Sequence, residues 1–327
     1  MAHPTPKCNY LLPIYPREVV KWSSRINYRQ KNLLDFVKAF MIISSAELTK
    51  KLSTAVEKMP AFPKSVQRIL ELTRDINCEP KELVMVIEKD PVMTMKLLRI
   101  LNSAYYSFPK QITSVNQSVV YLGLNTIKNM ALSFAVMGVL PQQNAAGFDV
   151  QRYLTHSLTT AALARSLCQK FGGGEDTDPA DCYIVGLLHD FGKVVFAQFM
   201  PTEFKEALTK SSEESISLHQ AENTIIGADH SLVGAMLVGK WQFPEALGDT
   251  IRYHHSEISG DNAALYYLVA ADQISKKLSH GNIDDVDFGN LPPALEERFG
   301  EDMAGLIARL GDLSKVVAEA QSFTKGG

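Results

Sequence analysis

The chain has 327 residues, of which 46% are hydrophobic and 21% charged, and a formal net charge of −3. That balance fits one large or two ordinary globular domains and gives no global reason to expect nucleic acid as a partner. Its four cysteines (Cys8, Cys78, Cys168, Cys182) include no CxxC pair, which argues against a cysteine zinc site or a disulfide framework and fits a reducing cytoplasm.

Residues 1–45 are locally basic: Lys7, Arg17, Lys21, Arg25, Arg29, Lys31 and Lys38 stand against Glu18 and Asp35. Two readings stay open, a basic arm that touches anionic partners and a poorly ordered extension ahead of a start near Met41. The longest apolar run here, Phe36 to Ile43, is short and interrupted by Lys38, so no membrane span is expected, and the order of a secretory signal is missing. Ser45 begins a helical pattern, and Met59-Pro60-Ala61-Phe62-Pro63 breaks it. A second helix starts near Lys64, with Val66, Ile69 and Leu70 at helical spacing. Glu79-Pro80 starts a third, carrying Leu83, Val84 and Ile87. Asp90-Pro91 starts a fourth, with Asp90 as N-cap and Pro91 where its missing N–H costs nothing; its stripe is Met93, Leu97, Leu98, Ile100 and Leu101. Helices follow over Ser114–Leu122, closed by Gly123, and Asn125–Val139, and Pro141–Phe148 reads as a linker.

The second half opens with a helix over Val150–Phe171, closed by Gly172-Gly173-Gly174. Asp178-Pro179 caps a helix that runs through His189 and continues past Gly192. Further helices are expected at roughly 202–210, 216–223, 230–241, 244–254, 262–279 and 302–322. There is no alternating strand pattern and no solenoid repeat. The expected fold class is all-α, divided into an extension (1–45), a first helical subdomain (46–140) and a second (149–323).

Five of the eight histidines form a series with two aspartates: His156, His189-Asp190, His230, His254-His255 and Asp272. Imidazole nitrogen and carboxylate oxygen together suit Zn, Fe, Mn, Ni or Co. If the helices that carry them converge, the core holds one or two divalent ions. Asp190 is the natural bridge. His156, His189 and Asp272 complete a first site, and His230, His254 and His255 a second. Lys193 lies one turn beyond His189, placed to steady a phosphate or an oxyanion, so Asp190 and Lys193 are the candidate catalytic pair. His254-His255 also reads as a surface pair, Gly192 either as a close backbone approach or as the end of a helix turn, and Asp229 either as an orienter of His230 or as a solvated N-cap. Trp241 and Tyr266-Tyr267 read as core, and His3, His219 and His280 as solvated. The Gly172–Gly174 run is no phosphate cradle, since no GK[ST] follows it, and no GxSxG elbow supports a serine hydrolase.

The order His156, His189-Asp190, Asp272 resembles the HD superfamily of metal-dependent phosphohydrolases. Met59-Pro60-Ala61-Phe62-Pro63, the run from Asp90-Pro91 through Leu97-Leu98-Arg99 to Asn102-Ser103-Ala104-Tyr105, Ile112-Thr113-Ser114-Val115 and Tyr121-Leu122-Gly123 resemble the HDOD domain, over about 50 to 280. The resemblance implies an N-terminal helical bundle packed on an HD-like helical bundle, and a bacterial signalling role with signalling proteins or a nucleotide-type ligand as partners. His230, His254-His255 and Lys193 match the related HD-GYP phosphodiesterases, with two departures. Arg152 stands one turn before His156, where that pattern has a glutamate ligand, and Ser256–Asn262 contains no Gly-Tyr-Pro. The expected function is therefore a metal-holding signalling module that acts by binding, with a phosphohydrolase acting on a phosphodiester or cyclic dinucleotide as the alternative.

Overall fold

Prolines and capping side chains set the helix boundaries, and every regular element among the described residues is a helix. The computed structural model describes residues 46–62, 64–74, 79–103, 105–141, 143–172, 177–258, 262–278 and 291–326. The basic arm of 1–45, Cys78, Ala104, Gly173-Gly174, Ser259-Gly260-Asp261 and His280 lie outside them. Leu52–Gly327 forms one compact unit. No helix among the described residues is long and apolar enough to cross a membrane.

The first helices are α1 (46–58), α2 (Lys64–Arg74), α3 (Pro80–Glu88), α4 (Pro91–Leu101), α5 (Val115–Leu122) and α6 (Leu124–Gly138). Asp90 caps α4 as its position ahead of Pro91 requires: Oδ1 accepts from the Met93 N–H at 3.0 Å, while Oδ2 accepts from Ser65 Oγ at 2.9 Å and ties α2 to the start of α4. Asn102 pins the following loop, since its Nδ2 donates to the carbonyls of Leu98 and Ile112, both at 2.8 Å, and its Oδ1 accepts from the Ile112 N–H at 2.8 Å. Ser114 caps α5 through the Gln117 N–H at 3.1 Å, and Gly123, at φ 79°, turns the chain from α5 into α6. These helices pack on one another through Leu83, Ile87, Leu97, Leu101 and Ile127, all nearly inaccessible to solvent.

The second half comprises α7 (Val150–Phe171), α8 (Pro179–Leu188), α9 (Phe191–Phe199), α10 (Pro201–Glu214), α11 (Leu218–Ile225), α12 (His230–Lys240), α13 (Glu245–Arg252), α14 (Ala263–Leu278), α15 (Pro293–Phe299), α16 (Met303–Leu310) and α17 (Ser314–Gly326). Long α7 is the spine: α8, α14 and α17 all pack on it. Cys168 and Cys182 are buried and free in the core between α7, α8 and α14. Several contacts among the described residues join the two halves. Helix α6 packs on α8, and α17 reaches α4. Lys240, at the end of α12, donates to the carbonyls of Val56, Glu57 and Met59 at 3.0, 2.6 and 2.9 Å, and so caps the end of α1. Beside it, Trp241 Nε1 donates to the Pro60 carbonyl at 3.0 Å and its ring meets Phe62, which explains the break sequence 59–63 and places Trp241 in the core as expected.

Three features differ from expectation by more than a few residues at a helix end. Helix α8 stops at Leu188, and His189 and Asp190 form the turn into α9 rather than lying within one continuous helix. The expected 302–322 helix is two, because Gly311 at φ 88° separates α16 from α17. Helix α15 was not anticipated; it spans only two turns, framed by Pro292-Pro293 and by Gly300 at φ 65°, and buries Leu295 and Phe299.

Gly192 belongs to α9 and marks a close approach, not a helix end. A Cβ there would run into the backbone carbonyl of His230, so α9 and α12 touch only because this side chain is missing. Gly192→Ala is expected to lower stability by ~1–3 kcal/mol in urea unfolding. Gly248→Ala, where an added Cβ meets nothing within 4 Å, is expected to be neutral or slightly stabilising. Equal midpoints for the two variants would contradict this account of the α9–α12 contact.

Candidate metal centre

The break at His189-Asp190 is what aims both side chains inward. His189, as the residue closing α8, keeps its backbone bond to Val185, and Asp190 follows with helix geometry already lost. Around them converge His156 from α7, His230 from the first turn of α12, His254 and His255 from the turn after α13, and Asp272 from α14. All seven residues expected from the sequence meet in one place. Their ligand atoms form two groups, His156, His189 and Asp272 in one and Asp190, His230, His254 and His255 in the other, with the atoms of each group within 4.8 Å of one another. All but His255 are buried.

The Asp190 carboxylate lies between the groups. Its Oδ2 is 3.6 Å from His156 Nε2 and 3.4 Å from His189 Nε2, and its Oδ1 is 3.1 Å from His230 Nε2 and 3.8 Å from His254 Nε2. Asp272 Oδ1 lies 3.1 Å from His156 Nε2 and 3.6 Å from His189 Nε2.

The outer nitrogens fix the tautomers. His189 Nδ1 faces the Gly186 carbonyl at 2.8 Å, His254 Nδ1 the Ile251 carbonyl at 2.6 Å, and His230 Nδ1 the Glu222 carboxylate at 2.6 Å. Each partner is an acceptor, so each Nδ1 carries the proton and, in the neutral ring, each Nε2 directs a lone pair at Asp190. Ser275 Oγ stands 3.1 Å from His156 Nδ1. Lone pairs aimed at carboxylates are repulsive without a cation between them. Buried His254 Nε2 and Asp272 Oδ1 indeed make no hydrogen bond, and the Nε2 atoms of His156 and His189 stand 3.4 Å apart. This donor set fits one or two divalent ions that take mixed nitrogen and oxygen ligands.

Protons are the other cations available to the site. Burial lowers the pKa of His189, but Asp190 and Asp272 outweigh it and raise it to about 9. His230 is likewise lowered by burial and then raised by Glu222 and Asp190, to about 9. Burial, then the neighbouring His189 and His230, push His254 down to about 3, and burial followed by His254 holds His255 well below its ordinary value. Burial opposes ionisation of Asp190 and Asp272, yet His189 and Lys193 hold the first well below the carboxylate range, and Lys276 and His156 the second.

Several residues of the site escaped the sequence reading. Glu222 is fully buried on α11 and accepts from both the ring and the backbone N–H of His230, at 2.6 and 2.8 Å. Its signal was an acid on the apolar stripe of Leu218 and Ala221. Lys276 donates to Asp272 Oδ2 at 2.8 Å, one turn along α14. His219, expected to be solvated, stacks on His255 with ring centroids 4.3 Å apart. Asp229 is the N-cap of α12, accepting from the Leu232 N–H at 3.0 Å, and Glu222 takes the orienting role considered for it. Lys193 Nζ donates to Asp190 Oδ2 at 2.9 Å, which ties it to the carboxylate between the groups. A cavity of about 280 Å³ opens beside the centre, lined by Arg152, Tyr153, His156, Asp190, Lys193 and Lys276 together with Phe148 and Leu208.

The sequence pattern of the HDOD domain family matches residues 59–257. An uncharacterized protein of Treponema pallidum (strain Nichols) is 27% identical over 214 residues, 64% of this chain and 40% of that protein, so the chain spans well under half of that relative's length. Two solved structures share the fold. An HDOD domain protein of unknown function from Geobacter sulfurreducens is 24% identical, with a TM-score of 0.69 over 87% of this chain and 98% of its own. A candidate signal transduction protein from Marinobacter aquaeolei VT8 is 22% identical, with a TM-score of 0.70 over 86% of this chain and 66% of its own.

Because His189 and His230 hold protons up to about pH 9, an entering ion must displace them. Calorimetry of Mn²⁺ or Zn²⁺ binding in two buffers at pH 7 is expected to report release of about two protons when both groups fill, with apparent affinity rising toward pH 9 and levelling above it. Binding at pH 7 that releases no protons would contradict the assignment of these rings as ligands. Glu222→Gln, which keeps the shape but loses the charge on His230 Nδ1, is expected to weaken binding ~10–100-fold.

Proposed function

Because the chain belongs to the HDOD domain family, we propose that it is a cytoplasmic signal-transduction module whose second helical subdomain (149–323) holds one or two divalent metal ions and acts by binding a ligand or a partner rather than by turnover. In this reading 46–140 is the first subdomain and 1–45 an extension. The observation that carries the proposal is the inward set of Nε2 lone pairs on His189, His230 and His254, each fixed by an acceptor on the opposite ring nitrogen.

A bound divalent ion would contribute Lewis acidity and hold α7, the α8–α9 turn, α12 and α14 to one point. The chain's own residues provide the rest. His156, His189 and Asp272 would hold one ion, His230, His254 and His255 the other, and Asp190 would reach both through its two oxygens. Lys193 and Lys276 each neutralise one carboxylate. Glu222 orients His230 and Ser275 faces His156. Three cations, Arg152, Lys193 and Lys276, line the adjoining cavity against two carboxylates, Asp149 and Asp190. The cavity therefore favours an anion, while Phe148 and Leu208 offer an apolar wall, a combination suited to a nucleotide-type ligand. The Arg152 cation opposes a third metal at the position one turn before His156.

A second reading is favoured by one observation. Lys193 lines the cavity while bonded to Asp190, so a phosphate entering there would meet a cation and the bridging carboxylate together, the arrangement a phosphohydrolase needs.

Elemental analysis of anaerobically purified protein is expected to find about one or two ions per chain after reconstitution with Fe, Mn or Zn. Less than about 0.1 per chain would discard both metal readings. Asp190→Ala is expected to lower the content, because a methyl group replaces the oxygens facing both groups. Assays on cyclic-di-GMP and on bis(p-nitrophenyl) phosphate separate binding from catalysis. The module reading expects no turnover above that of Asp190→Ala, and robust turnover lost in that variant would establish the hydrolase instead.

A further inference from the structure

Away from the metal centre, a cavity of about 270 Å³ lies where α6, α7, α8 and α17 meet. Three polar groups face it with interactions left to make. Asn129 is 9% exposed on α6; its backbone carbonyl accepts from Ser133 Oγ, but its side-chain amide has no partner among the described residues. Arg165, half-buried on α7, likewise makes no hydrogen bond or ion pair among them. Glu319, on α17, uses one oxygen to accept from Tyr106 at 2.7 Å and does not pair with Arg165, although both line the same cavity. The rest of the wall is mixed, with Met130, Leu158, Ala162 and Phe323 forming an apolar side and Thr126, Ser166, Gln169 and Tyr183 adding polar groups.

An unpaired amide, a guanidinium and a carboxylate converging on one space with an apolar side form the usual composition of a small-molecule site. Arg165 and Glu319 are half-buried, so their charged heads remain open to an occupant as well as to water. The space lies below the ~300–1,000 Å³ typical of drug-sized ligands, which limits the occupant to roughly amino-acid size. One fixed cation and one fixed anion that do not satisfy each other call for an occupant carrying both charges.

We propose that this cavity binds a small zwitterionic molecule of amino-acid type, with its carboxylate on Arg165, its ammonium on Glu319, its polar edge on Asn129 and its apolar side chain against Met130, Leu158 and Phe323. The occupant joins the first-half helix α6 to the spine α7 and the strap α17, at the point where the Tyr106 hydroxyl already ties the halves together. Charge-assisted contacts supply the orientation and the apolar wall selects side-chain size.

Calorimetry and saturation-transfer NMR on the full chain test this with L-leucine, L-methionine and L-phenylalanine, and with the single-charge analogues 4-methylpentanoate and isopentylamine. At least one amino acid is expected to bind in the millimolar range or tighter, with both single-charge analogues about tenfold weaker or more than L-leucine or the tightest amino acid. Arg165→Met and, as a second variant, Glu319→Gln are each expected to cut that affinity about tenfold while leaving the helical circular dichroism and the metal content unchanged. The proposal is overturned if none of the three amino acids binds at about 10 mM, if 4-methylpentanoate or isopentylamine binds as well as the amino acids, or if a folded Arg165→Met or Glu319→Gln protein binds them undiminished. Unchanged metal content in these variants separates failure here from failure of the metal reading.

Discussion

The Asp190 carboxylate is buried among imidazoles, and the organisation of the second half follows from what that burial demands. A carboxylate removed from water is tolerated only when surrounding groups replace its hydration. Here Lys193 gives one hydrogen bond and the histidines supply four more nitrogens within 3.8 Å. These groups come from α7, the α8–α9 turn, α9, α12 and the turn after α13, so the centre unites helices that are distant in sequence. The close approach of α9 and α12 at Gly192 is the backbone counterpart of the same requirement, because it brings His230 within reach of Asp190.

The surrounding shell suits a divalent ion. Two backbone carbonyls and Glu222 hold three rings with Nδ1 outward and protonated, a pattern that would raise ligand basicity and fix the direction of Nε2. Lys276 occupies Asp272 Oδ2 and leaves Oδ1 for the interior, whereas Lys193 bonds Asp190 Oδ2, the oxygen that also faces His156 and His189. The carboxylates Asp190, Asp272 and Glu222 against two lysines leave one negative charge before any ion enters, and the proton load on His189 and His230 reflects it.

The sequence carried the candidate ligands plainly and their supports hardly at all. His189-Asp190 closes an apolar run and the other candidates fall on separate expected helices, which named the residues but left their convergence to tertiary packing. Asp90 and Asp178 were readable as caps because a cap bonds within three residues of itself. Glu222 and Ser275 were not, since their partners lie 8 and 119 residues away and only tertiary packing brings them together. His219 is visible as part of the cluster only through its stacking on His255. Helix α15 was missed because two turns between prolines and a glycine carry too little periodicity to separate from a loop. The family signature in the first half turns out to be architectural: Asp90 and Asn102 hold the α2–α4 scaffold, while Tyr105 and Tyr106 reach α17 through the Lys315 carbonyl and Glu319.

The central claim is that one carboxylate, Asp190, serves both groups of ligands. X-ray data collected above and below the absorption edge of the reconstituted metal test it directly. The account predicts anomalous density beside Asp190 Oδ2 toward His156, His189 and Asp272, beside Oδ1 toward His230, His254 and His255, or at both. Density confined to another part of the molecule, or ions held by the histidines with Asp190 turned away, would contradict it.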